Sequence, residues 1–194
     1  MIRPELLISA YGSGWFPMAV EPGDIRWYSP DPRGIIPLDG FHAPARLRRV
    51  IRSGRFRIER DRAFAEVIRA CAESDRGDDD PGTWIDQEIL ESYCELHRLG
   101  FAHSVETWQG DRLVGGLYGV ALGGAFFGES MFHRATNASK VALAALVDHL
   151  QGRGYRLLDI QWVTNHLEQF GAVEISRAKY LKRLTEALSV EATF

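Results

Sequence analysis

Asp159 and Gln161 are the strongest candidates for chemistry in this sequence. They lie two positions apart in Leu157-Leu158-Asp159-Ile160-Gln161, an apolar run that predicts a buried strand over residues 156–163. Because alternate strand residues face the same side, both side chains are expected to point the same way. A carboxylate buried alone is costly, so Asp159 needs a partner. Two interpretations remain open: a solvated or helix-capping aspartate, or an acid–amide pair that orients a reacting amine and assists its proton loss.

Glu129 is a second candidate. It lies between Gly128 and Ser130 at the end of a predicted strand. This position is equally typical of an exposed loop acid and of a carboxylate that attracts a cationic amine or an Arg or Lys side chain.

A basic segment lies in the first third of the chain. Residues 46–62 contain eight arginines against Glu59 and Asp61, a local excess of six positive charges, although the whole chain has a net charge of −3. The segment is either a solvated helix face or a surface that contacts phosphates. Residues 78–80 are three aspartates beside Pro81 and Gly82 and predict an exposed acidic loop.

Composition limits the class of protein. The 194 residues are 45% hydrophobic and 25% charged, which predicts an ordinary soluble globular protein. The sequence has no apolar run near the roughly 20 residues that span a bilayer and no apparent signal peptide. Cys71 and Cys94 fit no zinc or redox motif, the six histidines show no metal spacing, and the glycines form no nucleotide-binding loop.

Hydrophobic periodicity predicts the elements that would hold these residues. Helices are expected over residues 5–13, 44–53, 62–74, 86–99, 137–150 and 176–188, the last two capped by Asn137 and Ser176. Strands are expected over residues 56–60, 102–108, 112–122, 125–132 and 156–163. Residues 22–44, rich in proline and aromatic residues, predict an ordered loop region or short strands. The order predicts an α+β fold: an N-acetyltransferase-like mixed sheet flanked by helices, preceded by a small N-terminal α/β subdomain.

Four segments at consistent spacing resemble the leucyl/phenylalanyl-tRNA–protein transferase family, and the match runs in order from about Tyr11 to Tyr180. They are Trp27-Tyr28-Ser29-Pro30-Asp31-Pro32-Arg33, Gly82-Thr83-Trp84-Ile85, Gly128-Glu129-Ser130-Met131-Phe132 with Asn137-Ala138-Ser139-Lys140, and Leu157-Leu158-Asp159-Ile160-Gln161.

The resemblance implies a cytoplasmic, monomeric aminoacyltransferase. Such an enzyme moves Leu or Phe, and by tolerance Met, from aminoacyl-tRNA to proteins with N-terminal Arg or Lys, which marks them for N-end-rule degradation. It needs no metal, and no cofactor because the ester donor is already activated. The implied division is an N-terminal subdomain with the tRNA contacts, residues 1–82, and a catalytic domain, residues 83–194.

The resemblance also implies residue roles. Asp159, Gln161 and Glu129 would be catalytic, and Trp84 would stack on the terminal adenine of the tRNA. The basic contacts would be Arg46, Arg48, Arg49, Arg52 and Arg55. The aminoacyl pocket would be Leu117, Phe126, Leu143, Leu146, Leu150 and Leu158. The leucines at 143, 146 and 150 share one helix face, so a plain core role is also open.

The sequence departs from the family pattern at one place that affects binding. Many members have a second tryptophan after Phe16-Pro17, where this chain has Met18, so one face of the adenine site lacks that tryptophan unless Trp15 replaces it. Two other functions remain as alternatives. An acetyl-CoA-dependent N-acetyltransferase would need a glycine-rich loop before its central helix, and residues 134–139 contain no glycine. A non-catalytic RNA-binding module would not require the two acids and the glutamine.

Overall fold

The structure is a computed structural model that describes residues 1–21, 23–74 and 83–194. The helices are α1 (Pro4–Gly12), α2 (Ala45–Arg52), α3 (Phe64–Ala72), α4 (Gln87–Arg98), α5 (Ala138–Gly152), α6 (Asn165–Glu168) and α7 (Arg177–Leu188). The strands are β1 (Phe16–Glu21), β2 (Asp24–Tyr28), β3 (Arg33–Ile36), β4 (Arg57–Arg60), β5 (Ala102–Gln109), β6 (Arg112–Leu122), β7 (Ala125–His133), β8 (Leu157–Gln161) and β9 (Val173–Ile175). The predicted acidic loop at residues 78–80 lies outside the described residues.

Side-chain caps fix the start of two helices. Asp86 accepts a hydrogen bond of 2.8 Å from the backbone N–H of Ile89 at the start of α4, and Ser176 accepts one of 3.4 Å from Lys179 at the start of α7. The predicted cap at Ser176 is confirmed. Asn137 precedes α5 in the left-handed conformation with φ of 71° and makes no side-chain cap, so the cap predicted there is wrong.

A seven-stranded mixed sheet organises the chain, with the strand order β4-β5-β6-β7-β8-β3-β9. All neighbours are antiparallel except β7 and β8, which are parallel. The predicted α+β architecture is confirmed. Strands β1 and β9 and helix α6 were not predicted from the sequence. Residues 22–44 contain β3, which pairs between β8 and β9 inside the large sheet, and β2, which pairs with β1 in a separate two-stranded sheet.

Two hydrophobic clusters cover the two faces of the large sheet. One contains buried residues of α1, α3, α4 and α7, and the other contains those of α2 and α5. Neighbouring residues of β8 alternate between them: Leu157 belongs to the first cluster and Leu158 to the second. The sheet therefore lies between two helical layers.

The predicted division between residues 82 and 83 stays a prediction. The large sheet crosses it, because β3 and β4 precede that point and pair with β8, β9 and β5, which follow it. Residues 1–82 and residues 83–194 therefore both contribute strands to the same sheet.

Among the described residues, no helix combines the length and the apolar character needed to cross a lipid bilayer. In the same residues, no group of three or more His, Cys, Asp or Glu side chains is arranged to hold a metal ion. Cys71 is buried and Cys94 is partly buried, and the two do not form a disulfide with each other.

Candidate active site

A cavity of about 1110 Å³ opens beside the parallel strands β7 and β8. These strands pair only from Ala125 and Leu157 to Phe127 and Asp159. Beyond that point both strands continue without pairing to each other, and the next residues of each, from Gly128 and from Ile160 onward, line the cavity. The gap between the strands therefore provides a site in the middle of the sheet.

Four of the six predicted pocket residues line this cavity. They come from β6, α5 and β8: Leu117, Leu143, Leu146 and Leu158. Phe126 and Leu150 are completely buried and do not line it, although both belong to the same hydrophobic cluster. Leu150 lies one helical turn beyond Leu146, and Phe126 stacks on Phe194 at 5.4 Å. These two residues support the wall from behind.

Glu129 enters the cavity because of a β-bulge. Tyr118 pairs with Ser130 and Gly119 pairs with Gly128, so Glu129 is an extra residue in β7 with no partner in β6. Such bulges redirect a side chain. The carboxyl of Glu129 accepts hydrogen bonds from Tyr11 at 2.7 Å and Tyr93 at 3.4 Å.

The Glu129 carboxyl is easily protonated in this environment. Burial raises its pKa to about 8; the hydrogen bond from Tyr11 opposes this rise, and the negative charge of Asp159 adds to it. The two tyrosine hydroxyls also contact each other, and burial and the charge of Glu129 raise the pKa of both. Near neutral pH the Glu129 carboxyl is therefore largely protonated, and the two tyrosine hydroxyls beside it keep their own protons.

Asp159 has the partner that its burial requires, and the partner is Arg33. The guanidinium donates from Nε to Oδ1 at 2.9 Å and from Nη2 to Oδ2 at 2.6 Å, and both side chains are almost fully shielded from solvent. Tyr180 donates a third hydrogen bond to Oδ2 at 2.8 Å. Burial alone would lower the pKa of Arg33, but the hydrogen bonds and charge of Asp159 raise it, so the guanidinium keeps its positive charge.

Arg33 is a site residue that sequence analysis missed. It belongs to the quoted Trp27–Arg33 segment, but its 126-residue separation from Asp159 gave no indication of the pairing. The one usable signal was the requirement for a cationic partner near a buried aspartate.

Gln161 faces the cavity, whereas Asp159 does not line it. The expectation that their side chains point the same way is therefore wrong. The reason is that Gln161 has a φ of 59°, a left-handed conformation that breaks the alternation of the strand. This conformation costs a non-glycine residue about 1–2 kcal/mol. The backbone N–H of Gln161 donates to Asp159 Oδ1 at 2.9 Å, a charged hydrogen bond worth roughly 1.5–3 kcal/mol, which offsets the cost.

The amide of Gln161 has unused hydrogen-bonding capacity. Its Nε2 atom is buried and donates to no atom of the described residues. A buried donor without a partner is costly, and the residue that carries it lines the cavity.

Aromatic residues also line the cavity. Trp84 and Met18 both line it, and the carbonyl of Trp84 accepts a hydrogen bond of 3.2 Å from Ala19. Trp15 is 45% exposed and does not line the cavity, so its position does not replace the missing family tryptophan. Sequence analysis missed Trp162, which lines the cavity and packs edge-on against Phe16 at 5.3 Å.

The eight arginines of residues 46–62 are all exposed, and none lines the cavity. Arg46, Arg48, Arg49 and Arg52 belong to α2, and Arg55 follows it with its guanidinium 5.2 Å from the ring of Phe56. Helix α2 packs on the face of the sheet that carries α5, as Leu47 belongs to the same cluster as Leu143 and Leu146. The arginines of α2 therefore lie on the same side of the sheet as the leucines that line the cavity.

Fold and site together define a mixed-sheet α+β protein with an apolar, substrate-sized cavity. Glu129 and Gln161 line this cavity, and the ion pair of Asp159 and Arg33 lies buried next to Gln161. A family model described as leucyl/phenylalanyl-tRNA protein transferase matches residues 35–185, and one described as the N-terminal domain of the same family matches residues 1–31. The chain belongs to the leucyl/phenylalanyl-tRNA–protein transferase family.

Two relatives agree with this assignment. A leucyl/phenylalanyl-tRNA–protein transferase from Paramagnetospirillum magneticum is 56% identical over 195 residues, covering 100% of this chain and 92% of the relative. One from Gloeobacter violaceus is 53% identical, covering 100% and 97%. Among solved structures, L-PGS from Bacillus licheniformis superposes with a TM-score of 0.47 at 13% identity, covering 95% of this chain and 70% of that one.

Proposed function

We propose that this protein transfers a leucyl or phenylalanyl group from aminoacyl-tRNA to the α-amine of a protein that begins with Arg or Lys. The observation that carries the proposal is the leucine-lined cavity that Gln161 and Glu129 also line, in a chain that belongs to this family. The enzyme acts as a cytoplasmic monomer, and its product is a protein marked for N-end-rule degradation.

The donor binds in three parts. Its Leu or Phe side chain occupies the wall formed by Leu117, Leu143, Leu146 and Leu158, and a hydrophobic wall of this kind also tolerates Met because it separates similar apolar side chains weakly. The terminal adenine stacks on Trp84. The exposed arginines of the N-terminal segment contact backbone phosphates, which carry no sequence information, so both leucyl- and phenylalanyl-tRNA are accepted.

The acceptor amine attacks the carbonyl carbon of the ester. A carbon–nitrogen bond forms, the carbon–oxygen ester bond breaks, and the ribose hydroxyl leaves with the proton released by the amine. Because an α-amine has a pKa of roughly 7.7–8.0, a useful fraction is neutral at cellular pH, and positioning becomes the main task. Gln161 orients the amine, and Glu129 supplies negative charge toward the cationic acceptor once it loses its proton.

Asp159 contributes through Gln161. Its carboxylate is held by Arg33 and Tyr180 and accepts the backbone N–H of Gln161. This arrangement supports a role in holding the amide rather than in direct proton removal.

The test is transfer of labelled Leu from leucyl-tRNA to peptides that begin with Arg, Lys, Asp or Glu. We expect product with Arg and Lys peptides from the unmodified protein, and loss of transfer with retained tRNA binding in Gln161→Ala and Asp159→Ala. Preference for Asp or Glu peptides would contradict the acceptor assignment. Stabilisation by acetyl-CoA together with the absence of transfer would instead support an acetyltransferase.

A further inference from the structure

The guanidinium of Arg33 is bound on every side by protein groups. Besides the two hydrogen bonds to Asp159, Nη1 donates to the carbonyl of Gly14 at 2.9 Å and Nη2 lies 3.3 Å from the hydroxyl of Tyr180. The rings of Phe16 and Tyr180 lie 4.9 and 4.4 Å from its central carbon. Arg33 is completely buried and does not line the cavity, so it cannot touch a substrate there.

A buried ion pair of this kind is not the obvious means of stabilising a core. Well-packed hydrophobic side chains of similar volume are often equally stabilising. The ion pair differs from apolar packing in that it fixes an orientation. A planar guanidinium with two parallel hydrogen bonds fixes the plane of the carboxylate. That plane sets where Oδ1 of Asp159 meets the N–H of Gln161.

The backbone next to Arg33 also contacts the end of β8 at which Gln161 lies. Gly34 is the partner of Gln161 in the pairing of β3 and β8. A Cβ atom at Gly34 would lie 2.6 Å from the carbonyl carbon of Trp162 and 2.8 Å from the nitrogen of Val163. Arg33 and Gly34 therefore both contact the same end of β8. Arg33 does so through its ion pair with Asp159, and Gly34 does so because it has no side chain and its backbone can approach closely.

We propose that Arg33 is a positioning residue for aminoacyl transfer: it fixes Asp159, which holds Gln161 in the left-handed conformation that directs its amide into the cavity. The proposal rests on the proposed function for its activity readout. Its structural part, that Arg33 determines the conformation of Gln161, is independent of the reaction.

The experiment compares Arg33→Met and Arg33→Lys with the unmodified protein and with Arg26→Met, which removes an exposed ion pair to Asp24. Transfer is measured at saturating and limiting leucyl-tRNA, at a temperature where each variant is fully folded. We expect Arg33→Met to lower kcat by about 100-fold, the effect of a small misplacement of a catalytic group, with KM for leucyl-tRNA within about threefold. Arg33→Lys keeps the charge but loses the parallel hydrogen bonds, so its kcat should lie between those of the unmodified protein and Arg33→Met.

A second measurement reads the conformation directly. The amide proton of Gln161, hydrogen-bonded to a carboxylate, is followed by NMR in 15N-labelled protein. We expect its chemical shift and its protection from exchange to change in Arg33→Met and not in Arg26→Met. If Arg33→Met does not fold, Arg33→Lys carries both measurements.

The outcomes separate the two proposals. Unchanged kcat in a folded Arg33→Met variant, or an unchanged Gln161 amide signal, would overturn the role of Arg33. A fall in kcat that disappears when the temperature is lowered would show that only stability had been lost, and would overturn it as well. Absence of transfer by the unmodified protein would contradict the proposed function, while the Gln161 signal would still decide the structural part.

Discussion

The hydroxyl of Tyr11 donates a hydrogen bond of 2.7 Å to the carboxyl of Glu129, across 118 residues of sequence. Helix α1 thereby contacts the bulge in β7, and the second tyrosine, Tyr93 of α4, completes the contact. The cluster brings a carboxyl group into an environment that favours its neutral form, and this has a measurable consequence for stability.

Glu129→Gln is expected to reduce the pH dependence of stability. The folded-state pKa of Glu129, about 8, lies above its ordinary value of 4.5, so the folded protein keeps a proton that the unfolded chain releases between these values. The stability from this group is fully present below about pH 4.5 and is lost as pH rises toward 8. Over that range the unmodified protein loses up to roughly 1.4 kcal/mol per pH unit from this group, and the variant does not.

Urea unfolding at pH 5, 6, 7 and 8 measures this difference. Glu5→Gln, at an exposed position in α1, is the matched control and should follow the unmodified protein. Parallel stability curves for Glu129→Gln and the unmodified protein would contradict the assigned environment.

Leu146→Ala and Leu150→Ala are expected to separate substrate preference from stability. Both residues belong to α5 and are almost completely buried, but only Leu146 lines the cavity. Each truncation should cost about 2–5 kcal/mol of unfolding free energy. Only Leu146→Ala should change the ratio of kcat/KM for leucyl- and phenylalanyl-tRNA, by roughly 10-fold in favour of Phe, because the enlarged pocket fits Leu less closely. An equal change in that ratio in both variants would show that the wall is wrongly assigned.

Trp84→Ala is expected to weaken donor binding, and Met18→Trp to strengthen it. Base stacking on an aromatic ring contributes about 1–3 kcal/mol, so loss of Trp84 should raise the Kd of a short aminoacyl-adenosine analogue by roughly 10- to 100-fold. Met18 lines the same cavity, and a tryptophan there supplies a second stacking surface. Calorimetry with the analogue measures both. Trp15→Ala, outside the cavity, should have no effect, and a loss of affinity in that control would place the adenine elsewhere.

Replacing Arg48 and Arg49 by Ala is expected to weaken tRNA binding with a reduced dependence on salt. Both are exposed on α2, and each phosphate contact removed should lower the slope of log Kd against log salt concentration by about 1. Transfer from the short aminoacyl-adenosine donor should be unaffected, because none of the arginines lines the cavity. Arg98→Ala, which removes an exposed ion pair with Glu95, is the control. An unchanged salt slope would remove α2 from the tRNA-binding surface.

The sequence by itself determined most of the secondary structure and the character of the sheet. Helices such as α5 and strands such as β6 were predicted within two residues of their bounds. Their hydrophobic periodicity follows directly from the local backbone repeat, because each element turns one set of side chains toward the core. The short strand β9 and the four-residue helix α6 were missed because three or four residues carry too little periodicity to indicate either structure. Strand spacing left both a structural and a chemical role open for Asp159, Gln161 and Glu129, and the family resemblance favoured the chemical one.

Only the tertiary structure decided how these residues work together. Arg33 meets Asp159 because β3 inserts between β8 and β9, a pairing of distant segments that no local pattern encodes. The entry of Gln161 and of Glu129 into the cavity follows in each case from a single departure from regular strand geometry, a positive φ for Gln161 and a bulge for Glu129. A regular strand pattern predicts that side chains alternate between the two faces of the sheet. In the active site, pairing with distant strands and contacts between buried charged groups change that alternation.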